Sequence, residues 1–118
     1  MRIEIRGRNV EVDDEIREHV IKRFRRVGRQ VSELATLDVE LYEEQNPSIA
    51  DRQVAEATLR VKGKTLRAHE ASPQMSHTIH ELAEDIRRQV KKHRDMRRKR
   101  AQTRRAVSRL RGRPATSR

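Results

Sequence analysis

Residues 54–92 read VAEATLRVKGKTLRAHEASPQMSHTIHELAEDIRRQVKK, and their pattern decides the fold. Ala55, Ala57, Leu59 and Val61 alternate with polar residues, the period of a strand with one buried face. Lys62-Gly63-Lys64 is a tight-turn signal, and Leu66 and Ala68 resume the alternation, which predicts a β-hairpin. Ser72-Pro73 is a favourable helix start: a capping hydroxyl, then a residue with fixed φ and no N–H to waste. From there Met75, Ile79, Leu82, Ala83, Ile86 and Val90 recur at helical spacing. The apolar stripe stops at Val90. Beyond it HRDMRRKRAQTRRA remains helix-compatible without an apolar face, so the helix is expected to project from the domain and fray. Disorder is expected from about Gln102, reinforced by Gly112 and Pro114.

Working back towards the N-terminus, Leu37, Val39 and Leu41 alternate in TLDVELYEE and predict a strand, separated from the hairpin by the turn-rich QNPSIADR. Ile3 and Ile5 predict another strand, closed by Gly7. Between the two, Asp13 or Asp14 can cap a helix whose apolar positions are Ile16, Val20, Phe24 and Val27, ending near Gly28 or Gln30. The expected order is β-α-β-β-β-α, an α+β fold with a mostly antiparallel four-stranded sheet and two helices packed on one face.

The chain has 118 residues, room for one core, with 40% charged and 33% hydrophobic residues. The expected organisation is a folded unit over 1–100 and a basic, disordered tail over 101–118. Absence of cysteine removes disulfides and thiolate metal sites, and a reducing cytoplasm is compatible with it. MRIEIRGRN lacks the apolar run of a signal peptide and no stretch is long and apolar enough to span a bilayer, so a cytoplasmic location without membrane contact is expected.

The net charge of +11 is unevenly placed. Residues 1–85 carry 14 Lys/Arg against 17 Asp/Glu, whereas residues 86–118 carry 15 against Asp95 alone. A polyanion is the natural partner, because each phosphate neutralised releases condensed counterions. In helical projection Lys22, Arg25, Arg26 and Arg29 share the side opposite the apolar stripe of the first helix. Arg87, Arg88, Lys91, Arg94 and Arg98 fall on one flank of the second, with Lys92 and Lys99 extending it. If the helices lie side by side, these rows line one groove suited to a phosphate backbone. Any surface helix has a charged outer face, and the first helix alone implies little; nine basic residues from Arg87 to Arg100 opposed by one acid imply more. Only Phe24 and Tyr42 are aromatic, and Phe24 belongs to the buried stripe, so recognition is expected through backbone and shape rather than base stacking.

No catalytic site, metal site, cofactor or small-molecule substrate is implied. His77 and His80 lie one helical turn apart near Glu81 and Glu84, but polar surface is the plainer reading. Ser72 with His77, or Ser76 with His80, lacks a third orienting group, and no phosphate-cradling loop is present. His93 continues the buried stripe.

RIEIRGRNVEVDDEIREHVIKRF, VAEATLRVKGKTLRAHEASPQM and IHELAEDIRRQVKKH together resemble the ribosome hibernation-promoting factors, or ribosome-associated inhibitors, over about residues 1–95. The resemblance implies a fold similar to double-stranded RNA-binding domains. It further implies a translation inhibitor in the messenger and transfer RNA channel of the small ribosomal subunit during stress or stationary phase, monomeric when free. Contact with ribosomal RNA would then fall to Lys22, Arg25, Arg26 and Arg29 and to Arg87, Arg88, Lys91, Lys92, Arg94 and Arg98. Gln74 and Ser76 depart from the acidic and aromatic residues often flanking that methionine, and Arg104, Arg105, Arg109, Arg111, Arg113 and Arg118 make a basic ending where one short class is acidic. The competing expectation is a nucleoid-type or other non-specific nucleic-acid-binding protein, since phosphate contacts carry little sequence information.

Overall fold

The computed structural model describes residues 1–111. Strand β1 (Arg2–Arg8) leads through helices α1 (Asp14–Arg23) and α2 (Arg25–Gln30) to β2 (Thr36–Glu43), then β3 (Gln53–Val61), β4 (Lys64–Ser72) and the long helix α3 (Met75–Arg111). The sheet order is β1-β2-β3-β4. β1 and β2 are parallel, with Ile3 beside Leu37 and Ile5 beside Val39, as a helical crossover requires; the other neighbours are antiparallel. The helices cover one face, and the core between the layers holds Leu37, Val39, Leu41 and Leu59 from the sheet against Phe24, Ile79, Leu82 and Ile86. The expected α+β architecture is therefore the observed one.

Local chemistry fixes the joints. Asp13 caps α1 by accepting the Ile16 N–H at 2.8 Å. β1 ends on Gly7-Arg8-Asn9. A Cβ at Gly7 would meet the Val10 carbonyl oxygen at 2.2 Å, so only glycine permits the close return of the chain. Asn9 adopts a left-handed φ of 54° and clamps the end of β2, donating to the Glu43 carbonyl (3.1 Å) and accepting the Glu43 N–H (2.9 Å). The β3–β4 hairpin turns on Lys62-Gly63, with Gly63 at φ +76°. Ser72, read as a cap, accepts the Gln74 N–H at 3.2 Å and is hydrogen-bonded to the fully buried Thr78 hydroxyl at 2.6 Å, while Thr78 lies 2.8 Å from the Gln53 carbonyl as a donor. That hydroxyl pair ties the start of α3 to β3.

Two helices differ from the expectation. The first is interrupted at Phe24, where φ −88° and ψ 3° leave the helical basin. The Phe24 N–H still reaches the Val20 carbonyl and the Gly28 N–H the Phe24 carbonyl, both at 3.0 Å, so the interruption is a bend within one continuous path. Val20, Phe24 and Val27 are all buried on either side of it, and packing of the ring sets the bend. The last helix does not give way near Gln102 but continues to Arg111. Ala101, Gln102, Ala106, Leu110 and the intervening arginines are good helix formers, and no glycine or proline intervenes before Gly112. Buried positions cease at Val90, so residues 91–111 form an overhang of roughly 30 Å at about 1.5 Å per residue. The remainder of the expected disordered tail, 112–118, lies outside the described residues.

Candidate nucleic-acid interface

The basic residues divide by face. On the open side of the sheet most charges lie in pairs, Arg2 with Glu4, Arg6 and Arg8 with the one Glu40, Arg60 with Asp38, and His69 with Glu56, while exposed Arg67 makes no ion pair among the described residues. The Arg8 guanidinium also covers the Tyr42 ring, 4.3 Å from its centroid. Burial, then the charge of Glu56, raises the Tyr42 pKa. Tyr42 is thus half-buried under a cation on the face away from the helices, not a free stacking platform.

The helical side is unmatched. Lys22, Arg25, Arg26 and Arg29 are exposed along α1 and α2, and Arg88, Lys91, Lys92, Arg94 and Arg98 are exposed on α3. None of these nine makes an ion pair within 4.0 Å among the described residues. Arg87 is the exception: it is half-buried and donates to Glu84 through Nε (3.3 Å) and an NH2 group (2.9 Å). That hydrogen bond holds the Glu84 carboxyl below its ordinary range, and His80 and Arg26 add to the effect.

The first helical segment and α3 run side by side in the same direction. His19 Nε2 donates to the Ser76 carbonyl oxygen at 3.2 Å, Arg26 bears on Glu84, and Gln30 borders one recess with Val90, His93 and Arg94. On the seam so defined the structure brings Arg26 near Arg87 through their shared acid, and Arg94 and Arg98 to the end of α2. Arg88, Lys91 and Lys92 instead cluster with Lys99 around Asp95 on the outer surface of α3. Lys92 reaches round to the opposite edge, beside Gln89 and the hairpin turn. The ten residues form a broad cationic surface with a seam in it, not two rows facing across one groove.

Five further cations lie outside the two rows projected from the sequence. Lys62 and Lys64 of the hairpin turn approach Arg97, Arg100 and Arg104 on the underside of the α3 overhang. The spacing 97, 100, 104 on one side of a helix is legible in the sequence; its pairing with a turn thirty residues upstream is not. His77 is exposed and His80 half-buried, and no three His, Asp or Glu side chains converge as metal ligands among the described residues. Among the described residues no helix is long and apolar enough to cross a membrane.

Comparison with known proteins agrees with the fold. A family model described as Sigma 54 modulation protein / S30EA ribosomal protein matches residues 3–98. A ribosome hibernation promotion factor of Picosynechococcus sp. is 29% identical over 96 residues, 80% of this chain but 50% of that protein, so the chain spans about half the length of that relative. A ribosome hibernation promoting factor of Pseudomonas putida is 30% identical over 95 residues, 80% of this chain and 88% of that protein. Among solved structures, the Thermus thermophilus Protein Y N-terminal domain aligns with a TM-score of 0.69 at 26% identity, covering 79% of this chain and 99% of that one.

Proposed function

The chain belongs to the Sigma 54 modulation protein / S30EA ribosomal protein family, and from that premise we propose that it is a ribosome-binding translation inhibitor that occupies the messenger and transfer RNA channel of the small subunit. The observation that carries this reading is the segregation of charge: most cations of the sheet face lie in ion pairs, while nine exposed Lys and Arg on the helical side make no ion pair within 4.0 Å among the described residues. Packing does not account for such crowding of like charge, and a phosphate backbone relieves it. The protein acts by occupancy in the cytoplasm. Arginines fork onto phosphate oxygens, lysines serve as point charges, and the scarcity of exposed rings leaves shape and backbone as what is read.

Sedimentation with isolated small subunits at near-physiological salt, with and without bound messenger and initiator transfer RNA, tests it. Stoichiometric binding that those ligands block is the expected result. Binding indifferent to them, and matched by duplex DNA, would replace this reading with a general nucleic-acid-binding one.

A further inference from the structure

The apolar positions that hold α3 to the sheet end at Val90, but the overhang carries a second set, too sparse to have marked the helix in the sequence. Met96, Thr103, Val107 and Leu110 fall within about 60° of one another at 100° per residue, turned about 110° from Ile79, Ile86 and Val90. Met96, Val107 and Leu110 are the only large apolar residues from Lys91 to Arg111, and all three share this side. They keep 46%, 41% and 70% of their surface exposed, on a stretch where no described residue is fully buried. Isolated apolar side chains are ordinary on a surface, but an aligned set is not. Positions 96, 103 and 110 repeat every seven residues, with 107 between, and that spacing keeps side chains on a narrow line by which one helix meets another.

The borders of the line decide what kind of partner it suits. In projection Lys92 and Lys99 run along one side and Arg100 and Arg104 along the other. Met96, Lys99, Arg100, Thr103 and Arg104 frame a shallow recess of about 480 Å³ with no acid in its lining among the described residues. None of the four bordering cations makes an ion pair within 4.0 Å among the described residues. A second copy of the chain is the wrong occupant, because a parallel or an antiparallel pairing sets one basic border against another. A lipid surface calls for a broad apolar face with aromatic anchors, whereas residues 91–111 contain no aromatic and the apolar line is about 60° wide. A nucleic acid would neutralise the cations and leave Met96, Val107 and Leu110 in water. A helix with apolar residues at matching intervals and carboxylates on both sides of them satisfies both features.

We propose that the overhang docks an acidic amphipathic helix of a partner protein. Its apolar residues cover Met96, Thr103, Val107 and Leu110, and its carboxylates pair with Lys92, Lys99, Arg100 and Arg104. From Met96 to Leu110 the contact runs about 21 Å, two heptads of a helix pair. Arg94 and Arg98, which lie at the end of α2, take no part in it. Thr103, Val107 and Leu110 stand beyond residue 98, where the family match ends, so the surface belongs to the extension of this chain and the inference does not rest on the channel reading.

The test is fluorescence anisotropy of the full chain, near physiological salt, with a labelled 21-residue peptide carrying leucine along one line and glutamate on both borders. A control peptide of the same charge has glutamine for leucine. The leucine peptide is expected to bind at least about tenfold more tightly than the control. Met96→Gln, Val107→Gln and Leu110→Gln together keep every charge and place a good helix former at each position; they are expected to weaken leucine-peptide binding about tenfold. Thr103→Leu, which extends the apolar line, is expected to tighten it about threefold, and this holds the proposal to account even if circular dichroism shows the triple variant losing helix. Equal binding of the two peptides would overturn the proposal, since charge alone would then suffice. Self-association of the chain that the triple variant abolishes would overturn it in favour of a second copy, and tighter binding to phosphatidylglycerol vesicles than to the leucine peptide would do so in favour of a lipid surface.

Discussion

Removal of Lys91, Arg94 and Arg98 together as glutamines isolates the contribution of the helical surface. If all nine unmatched cations contact phosphates, the slope of log K against log salt is about −8, at roughly 0.9 per phosphate on a duplex. The triple variant leaves six and a slope of about −5.4. Between about 50 and 200 mM salt the affinity of the natural protein then falls by roughly five decades, and that of the variant by roughly three. The comparison protein carries Arg2→Gln, Arg6→Gln and Arg60→Gln, the same loss of net charge taken from the matched sheet face. Its slope is expected to stay near that of the natural protein. Equilibrium binding to small subunits or to a structured RNA over a salt series measures both. Equal flattening by the two triple variants would refute the reasoning, because net charge rather than its placement would then govern binding.

Gly7→Ala pushes a Cβ into the Val10 carbonyl oxygen and is expected to cost about 2 kcal/mol, a fall in Tm on the order of 10 °C by calorimetry. Gly63→Ala, with open space around it but a φ of +76°, is expected to cost about half as much. Thr78→Val removes the buried hydroxyl that serves both Ser72 and the Gln53 carbonyl; a loss of about 1–3 kcal/mol in urea unfolding is expected. Burial, then the hydrogen bond with Asp85, raises the Glu70 pKa above its ordinary 4.5. The folded protein therefore holds this proton to higher pH than the unfolded chain, and stability falls as pH rises from about 4.5 through the folded value. Glu70→Gln should raise Tm at pH 7 relative to the natural protein and change it little near pH 4; equal shifts at both would contradict the assignment.

Period carried most of the fold. Leu37, Val39 and Leu41, the Lys62-Gly63 turn, and Ile79, Leu82, Ile86 and Val90 needed only alternation and helical spacing to be placed, because each element buries one side. The bend at Phe24 was not legible, since a ring packed from the sheet side decides it and no glycine or proline marks it. The persistence of α3 to Arg111 was hidden for the opposite reason: without an apolar stripe, helix propensity alone had to be weighed against repulsion. For the candidate site, projection found which cations share a side of a helix. It missed that Arg87 is committed to Glu84, although their i, i+3 spacing signals it, and that Lys92 turns towards the far edge.

On the proposed function, recognition and order are linked through the overhang. Beyond Val90 no described residue of α3 is fully buried and only His93 and Ala101 are partly covered, and a helix held mostly by propensity is marginal in water. Arg97, Arg100 and Arg104 sit one turn apart on its underside and Arg94 and Arg98 on its seam side, spacings at which like charges destabilise a helix by a few tenths of a kcal/mol per pair. Asp95 is the one acid in the stretch. Every phosphate that settles on either row removes part of this repulsion as well as releasing counterions, so binding strengthens the very element that presents the binding groups. The sheet face gains less from an anion, since Arg6, Arg8 and Arg60 would have to leave Glu40 and Asp38 to meet it. One orientation on a polyanion is favoured by the fold itself: helices and overhang inward, sheet to solvent.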